Sequence, residues 1–192
     1  NLTLAGNNYI GSAVWHQAGV GDVNGDGYND VLFGTAAETG GMARLYTGGP
    51  NGLTSKTNIG NGIAAAAGDV NGDGIVDMIV MGATSSNVYY GSTNGSYTKS
   101  GNLSFGYNSG ENAAWGAQQY AAGVGDFNGD GYNDVVTTNG IYFGSATGLS
   151  DSNKISFNHG VTSANAAGDV NGDGYADGDD GEDGDGGMRS EE

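Results

Sequence analysis

Four stretches of the chain put oxygen-bearing side chains at the same places. In the first, from Gly21 to Asp30, they are Asp22, Asn24, Asp26 and Asp30, in the order D-x-N-x-D-G-x-x-D. The others are Asp69, Asn71, Asp73 and Asp77; Asp126, Asn128, Asp130 and Asp134; and Asp169, Asn171, Asp173 and Asp177. Alternate residues at positions 1, 3 and 5 converge when a backbone wraps a sphere. Glycine at position 6 (Gly27, Gly74, Gly131, Gly174) permits the sharp turn that sends the position 7 carbonyl inward. That carbonyl belongs to Tyr28, Ile75, Tyr132 and Tyr175. Every candidate ligand is a hard oxygen, with no His or Cys, so the chemistry is that of Ca²⁺, about one ion per loop and about four in all.

The pattern is not an EF-hand, which needs a bidentate Glu at position 12. Position 12 here is Phe33, Val80, Thr137 and Asp180. In the first three copies an apolar run follows where a helix would begin: Val31-Leu32-Phe33, Met78 to Met81, and Val135-Val136. Such short runs bounded by glycines read as strands buried on both faces.

Charge points the same way. The 192 residues hold 22 acids against 5 bases, a formal charge of −17. Residues 1 to 177 hold 15 acids and 4 bases, and twelve of those acids are loop aspartates. Four divalent ions would take that stretch from −11 to −3; without them, three clustered carboxylates repel in each loop. So few bases make no positive stripe, which excludes a binder of nucleic-acid backbones. No segment is apolar enough to span a bilayer as a helix.

The loops need elements to hold them. Their first aspartates lie 47, 57 and 43 residues apart, a period typical of propellers and solenoids. The longer interval places an insertion at about Gly101 to Gln119. Forty glycines, one proline and few helix formers favour β structure with many turns. Small apolar residues precede each loop, as in Ala64 to Ala67. A later marker, Leu45-Tyr46-Thr47-Gly48, Val88-Tyr89-Tyr90-Gly91 and Ile141-Tyr142-Phe143-Gly144, leads into turns ending at Gly52, Gly95 and Gly148. Each repeat therefore reads strand, acidic loop, strand, turn, strand, turn, strand. The expected fold is all-β: four-stranded antiparallel β-propeller blades, three complete and one partial, over residues 1–177. Residues 178–192 form an acidic Gly/Asp tail expected to be flexible, with no strand after Asp177.

The repeats resemble FG-GAP repeats, also described as VCBS-type, known from integrin α-subunit propellers and many bacterial surface proteins. The likeness covers residues from about 12 to 177 and rests on the loop motif. It implies that each loop joins two strands of one blade and holds structural Ca²⁺. The expected function is an extracellular, calcium-binding, non-catalytic module for adhesion or structural self-assembly. Two alternatives are a glycan-binding, lectin-type propeller and the accessory propeller of a larger secreted enzyme.

Other residues carry less. His16 and His159 are the only histidines and have no Ser or Cys at triad spacing, so no enzyme is expected. Trp15, Trp115 and Tyr107 read as blade or loop packing, or else as a sugar-stacking platform. Sequons at Asn1, Asn94 and Asn102 permit glycosylation in a suitable host. Strand Asn1 to Ile10 could complete the unfinished last blade of another chain, giving a homo-oligomer or filament by strand addition; the other reading is a piece of a longer propeller.

Overall fold

A computed structural model of the protein describes residues 14–35, 42–53, 55–82, 84–105, 121–157, 165–168 and 177–179. Fourteen strands are formed among them, and no helix. The first sheet comprises β1 (Val14–Gly21), β2 (Asp30–Thr35), β3 (Ala43–Thr47) and β4 (Ser55–Gly60). The second comprises β5 (Ile63–Gly68), β6 (Asp77–Met81), β7 (Ser86–Tyr90) and β8 (Thr98–Leu103). The third comprises β9 (Ala121–Gly125), β10 (Asp134–Thr137), β11 (Gly140–Tyr142) and β12 (Lys154–Ser156). Each is an antiparallel meander in sequence order, and β13 (Asn165–Gly168) pairs with β14 (Asp177–Asp179) in a fourth, two-stranded sheet.

The expected four-stranded units are thus present three times. The turns after the tyrosine-bearing strands also close on the expected glycines, with Gly52, Gly95 and Gly148 donating to the carbonyls of Gly49, Ser92 and Ser145 at 3.0, 2.9 and 2.7 Å. Those glycines have φ of 99°, 74° and 80°, which L side chains avoid.

The first strands form the seam. β5 lies against β1 on one side and β9 on the other, and β13 lies against β9. This explains the small residues that precede every loop. A Cβ on Gly123 would come 2.5 Å from the Ala67 carbonyl oxygen, so the backbones meet where a larger residue could not. The second sheet is the middle layer. Met78 and Val80 of β6 enter one core, with Val20, Leu32 and Leu45. Ile79 and Met81 enter the other, with Val88, Val135 and Tyr142. All five residues of β6 are buried, as are all four of β10, where Val135 and Val136 face different clusters.

Three expectations need correction. In β2 only the Leu32 side of the run is fully buried, while Val31 and Phe33 are half-buried on the face they share with the buried Tyr46 ring. Residues Gly101–Leu103 belong to β8 and Phe105 is in the core, so the insertion begins later than expected. The rest of it, residues 106–120, lies outside the described residues, as does the expected strand Asn1 to Ile10. Lastly, a strand does follow Asp177: Ala166 pairs with Gly178 and Asn165 with Asp179. Backbone pairing needs no apolar side chain, so Asp-Gly-Asp extends the hairpin beyond the point where composition signals a tail.

Candidate metal-binding loops

Each acidic loop joins the first and second strands of its sheet, and each is closed in one way. Gly21 faces Asp30, Gly68 faces Asp77, Gly125 faces Asp134 and Gly168 faces Asp177, always beside a shift in register. The fourth hairpin therefore closes like the others, although Asp169, Asn171, Asp173 and Tyr175 lie outside the described residues, as does the side chain of Asp177.

The three described loops are wound by their own side chains. The position 1 carboxylate is the hub. Asp69 Oδ1 accepts the amides of Gly72 (2.7 Å) and Asp73 (3.1 Å), and its Oδ2 accepts that of Gly74 (2.8 Å). Asp126 does the same for Gly129, Asp130 and Gly131 at 2.7, 3.0 and 2.8 Å. Asp22 takes Asp26 and Gly27 at 3.0 and 2.7 Å. At position 3, Asn24 Oδ1 accepts the Asp26 amide and Asn24 Nδ2 donates to Asp26 Oδ2, at 3.0 and 2.9 Å; Asn71 and Asn128 repeat the pair with Asp73 and Asp130. At position 5, Asp26, Asp73 and Asp130 accept the amides of Tyr28, Ile75 and Tyr132. The position 6 glycines have φ of 88°, 86° and 91°, as the turn demands.

Position 9 behaves differently. Asp30, Asp77 and Asp134 are 0% exposed. One oxygen of each accepts the amide of position 2: Val23 at 3.0 Å, Val70 at 3.0 Å and Phe127 at 2.8 Å. The other accepts the amide of the glycine that ends the tyrosine-bearing marker: Gly48 at 2.8 Å, Gly91 at 2.9 Å and Gly144 at 2.8 Å. This carboxylate ties the loop to the exit of the third strand. The sequence reading missed that role. Its signal was present, since the marker ends in glycine in all three copies. A Cβ on Gly144 would sit 2.5 Å from the Asn133 carbonyl oxygen, so only glycine lets the amide reach the aspartate.

Electrostatics separate the two kinds of aspartate. Slight burial acts to raise Asp22, but the amides of Gly27, Asp26, Gly25 and Asn24 outweigh it and hold the carboxyl below its ordinary value. At position 9 burial wins over the backbone amides, two on Asp30 and Asp77 and three on Asp134, and the neighbouring loop charges add to it. Asp30 is raised, Asp134 is pushed up to about 6 and Asp77 to about 7.

The loops bring positions 1, 3 and 5 together at the surface and set position 9 beneath them. Among the described residues no three His, Cys, Asp or Glu side chains gather around one ion-sized point. The donors are nevertheless all oxygens, and carboxylate and amide oxygens carry more than one lone pair. Among the described residues the ion pair found is Lys154–Asp151 at 3.1 Å, away from the loops, so no Lys or Arg there neutralises a loop aspartate. A donor set of exposed, anionic, hard oxygens without a protein counter-charge fits a hard divalent cation.

Two overlapping stretches, residues 22–80 and 69–137, match the family model of the FG-GAP-like repeat, and together they span more than half of the chain. No curated protein matches it. Each match begins on the first aspartate of a loop and runs into the second strand of the next sheet, and on that footing the chain belongs to the FG-GAP-like repeat family.

Proposed function

We propose that the chain is a calcium-stabilised β-propeller module that works outside the cell, in adhesion or structural assembly, without catalysing a reaction. The observation that carries the reading is the threefold loop: the same oxygens, wound by the same amide bonds, with no described protein cation beside them. Stacking of the sheets through their first strands supports the blade interpretation. In each loop the carboxylates and the Asn oxygen at positions 1, 3 and 5, the position 7 carbonyl and the position 9 aspartate would hold the ion. The fourth loop has the same residues in sequence. Bound calcium would supply charge neutralisation and bracing, and the chain's own oxygens supply the site. Calcium modules outside cells commonly work at ~10⁻⁴–10⁻³ M, which suits that compartment.

Calorimetric titration with calcium, paired with melting in calcium and in chelator, tests the reading. About four ions should bind. A site filled at a hundredfold excess over its Kd adds about 2.7 kcal/mol to the folded state. No heat of binding together with identical melting curves would sink it.

A further inference from the structure

Eight asparagines of the chain are followed by glycine, and seven of these pairs lie among the described residues. Such a pair is chemically labile, because glycine brings its amide nitrogen to the Asn Cγ with no side chain in the way. The reaction needs a carboxamide free to turn and an amide nitrogen free to attack.

Six of the seven pairs are held. In the loops, the carboxamides of Asn24, Asn71 and Asn128 are fixed at both ends by the aspartate two residues on. The glycine amides point at the hub carboxylate: Gly72 and Gly129 donate at 2.7 Å each, and Gly25 donates to Asp22. The attacking species is the deprotonated amide nitrogen, and a neighbouring carboxylate disfavours that anion. The following unit adds cover at each junction. At the first, Ser92 donates its amide to the Val23 carbonyl at 3.3 Å and Thr93 lies against Gly25. At the second, Ser145 donates to the Val70 carbonyl at 3.1 Å and the Tyr132 ring lies over Gly72. Outside the loops, the Gly52 and Gly95 amides are spent in their turns, and Asn94 Oδ1 also accepts the Ser96 amide at 2.9 Å. Gly140 is held opposite Thr137 in the β10–β11 ladder, and its carbonyl accepts the Thr137 hydroxyl at 2.9 Å.

Asn61–Gly62 is the exception. Asn61 is exposed, and among the described residues neither its carboxamide nor the Gly62 amide has a hydrogen-bond partner. The pair is also the whole connection between the first two sheets, since β4 ends at Gly60 and β5 begins at Ile63. We infer that Asn61 is a spontaneous deamidation site, converting to aspartate and isoaspartate while the loop asparagines of the folded chain stay intact. The Gly62 nitrogen gives up its proton and bonds to Asn61 Cγ. The bond from Cγ to the carboxamide nitrogen breaks, and ammonia leaves with that proton, closing a succinimide. Water then opens the ring. Attack at Cγ gives aspartate. Attack at the main-chain carbonyl gives isoaspartate, which adds one carbon, about 1.5 Å, to the main chain. The connection has little room for it. A Cβ on Gly62 would fall on the Met81 carbonyl oxygen, and one on Gly34 would come 2.9 Å from the Ala64 nitrogen. Isoaspartate at this position therefore loosens the first junction.

The test incubates the full chain in calcium-containing buffer at mildly alkaline pH. Tandem mass mapping follows each asparagine, and enzymatic carboxyl methylation reads isoaspartate. Asn61 should convert about tenfold faster or more than Asn24, Asn71 or Asn128, because those must first release bonds that involve a carboxylate. Unfolding in urea should bring the loop asparagines up to the rate of Asn61. Asn61→Gln should melt as the parent does and lose the early isoaspartate signal; if that variant fails to fold, the parent's map alone decides. Loop asparagines that convert as fast as Asn61 in the folded chain would overturn the inference. So would an Asn61 that stays intact in the folded chain while the urea-unfolded chain converts. An early isoaspartate signal that survives Asn61→Gln also overturns it.

Discussion

Replacing Asp134 with Ala probes the tie beneath the loop apart from any ion. Its carboxylate, at a 0% exposed residue, holds the Phe127 and Gly144 amides at 2.8 Å each away from water and, more weakly, the part-buried Asn128 amide at 3.2 Å. Truncation leaves two buried donors without acceptors. At ~1–3 kcal/mol for each, the loss is about 2–6 kcal/mol, a large share of the ~5–15 kcal/mol that holds a domain together. Asp134→Asn keeps one acceptor but turns an NH₂ toward the other amide, so it should lose about half as much. The comparison is Asp130→Ala, whose oxygens bond amides at the exposed surface and should matter less. Urea unfolding in excess chelator, with an osmolyte to keep the parent folded, reads the differences without a ligand effect. If Asp134→Ala unfolds within about 0.5 kcal/mol of the parent, or no more easily than Asp130→Ala, the tie is not what closes the loop.

Gly144→Ala should lower the melting temperature by several degrees, because the new Cβ meets the Asn133 oxygen at 2.5 Å; unchanged melting would show that this approach is not tight. Asp151 is raised slightly by burial but held below its ordinary value overall by hydrogen bonds from Ser104, Lys154 and Tyr142. Its contribution is therefore complete above the unfolded carboxyl pKa of about 4 and fades as pH falls through the lower folded value. Asp151→Asn should accordingly be less acid-sensitive than the parent in melting scans at falling pH, and a variant with the parent's acid limb would contradict the assignment. Asp22→Ala with Asp26→Ala should remove about one calcium ion from the titration, and an undiminished stoichiometry would move the ion elsewhere.

Much of the fold could be read from the repeats because local rules wrote it. The loop motif, the apolar run after it and the tyrosine-bearing marker each fall within ten residues, where spacing is informative. The tie between positions 9 and the marker glycine spans 18, 14 and 10 residues, so its two ends carry no common spacing. The half-burial of Val31 and Phe33 depends on residues far along the chain that share their face, such as Tyr46, which nothing in the run itself encodes. Strand β14 is written Asp-Gly-Asp and exists through backbone pairing with β13, where side-chain patterning is silent.

The amides that Ser92 and Ser145 extend across the seam have a thermodynamic consequence. Each loop is finished by the unit after it, so part of the folding free energy belongs to junctions rather than to units, as in a one-dimensional lattice of coupled sites. The second sheet shares in both junctions among the three described loops; the first shares in one. A unit held at two junctions should open after one held at a single junction, so amide hydrogen exchange should be slower along β6 than along β2.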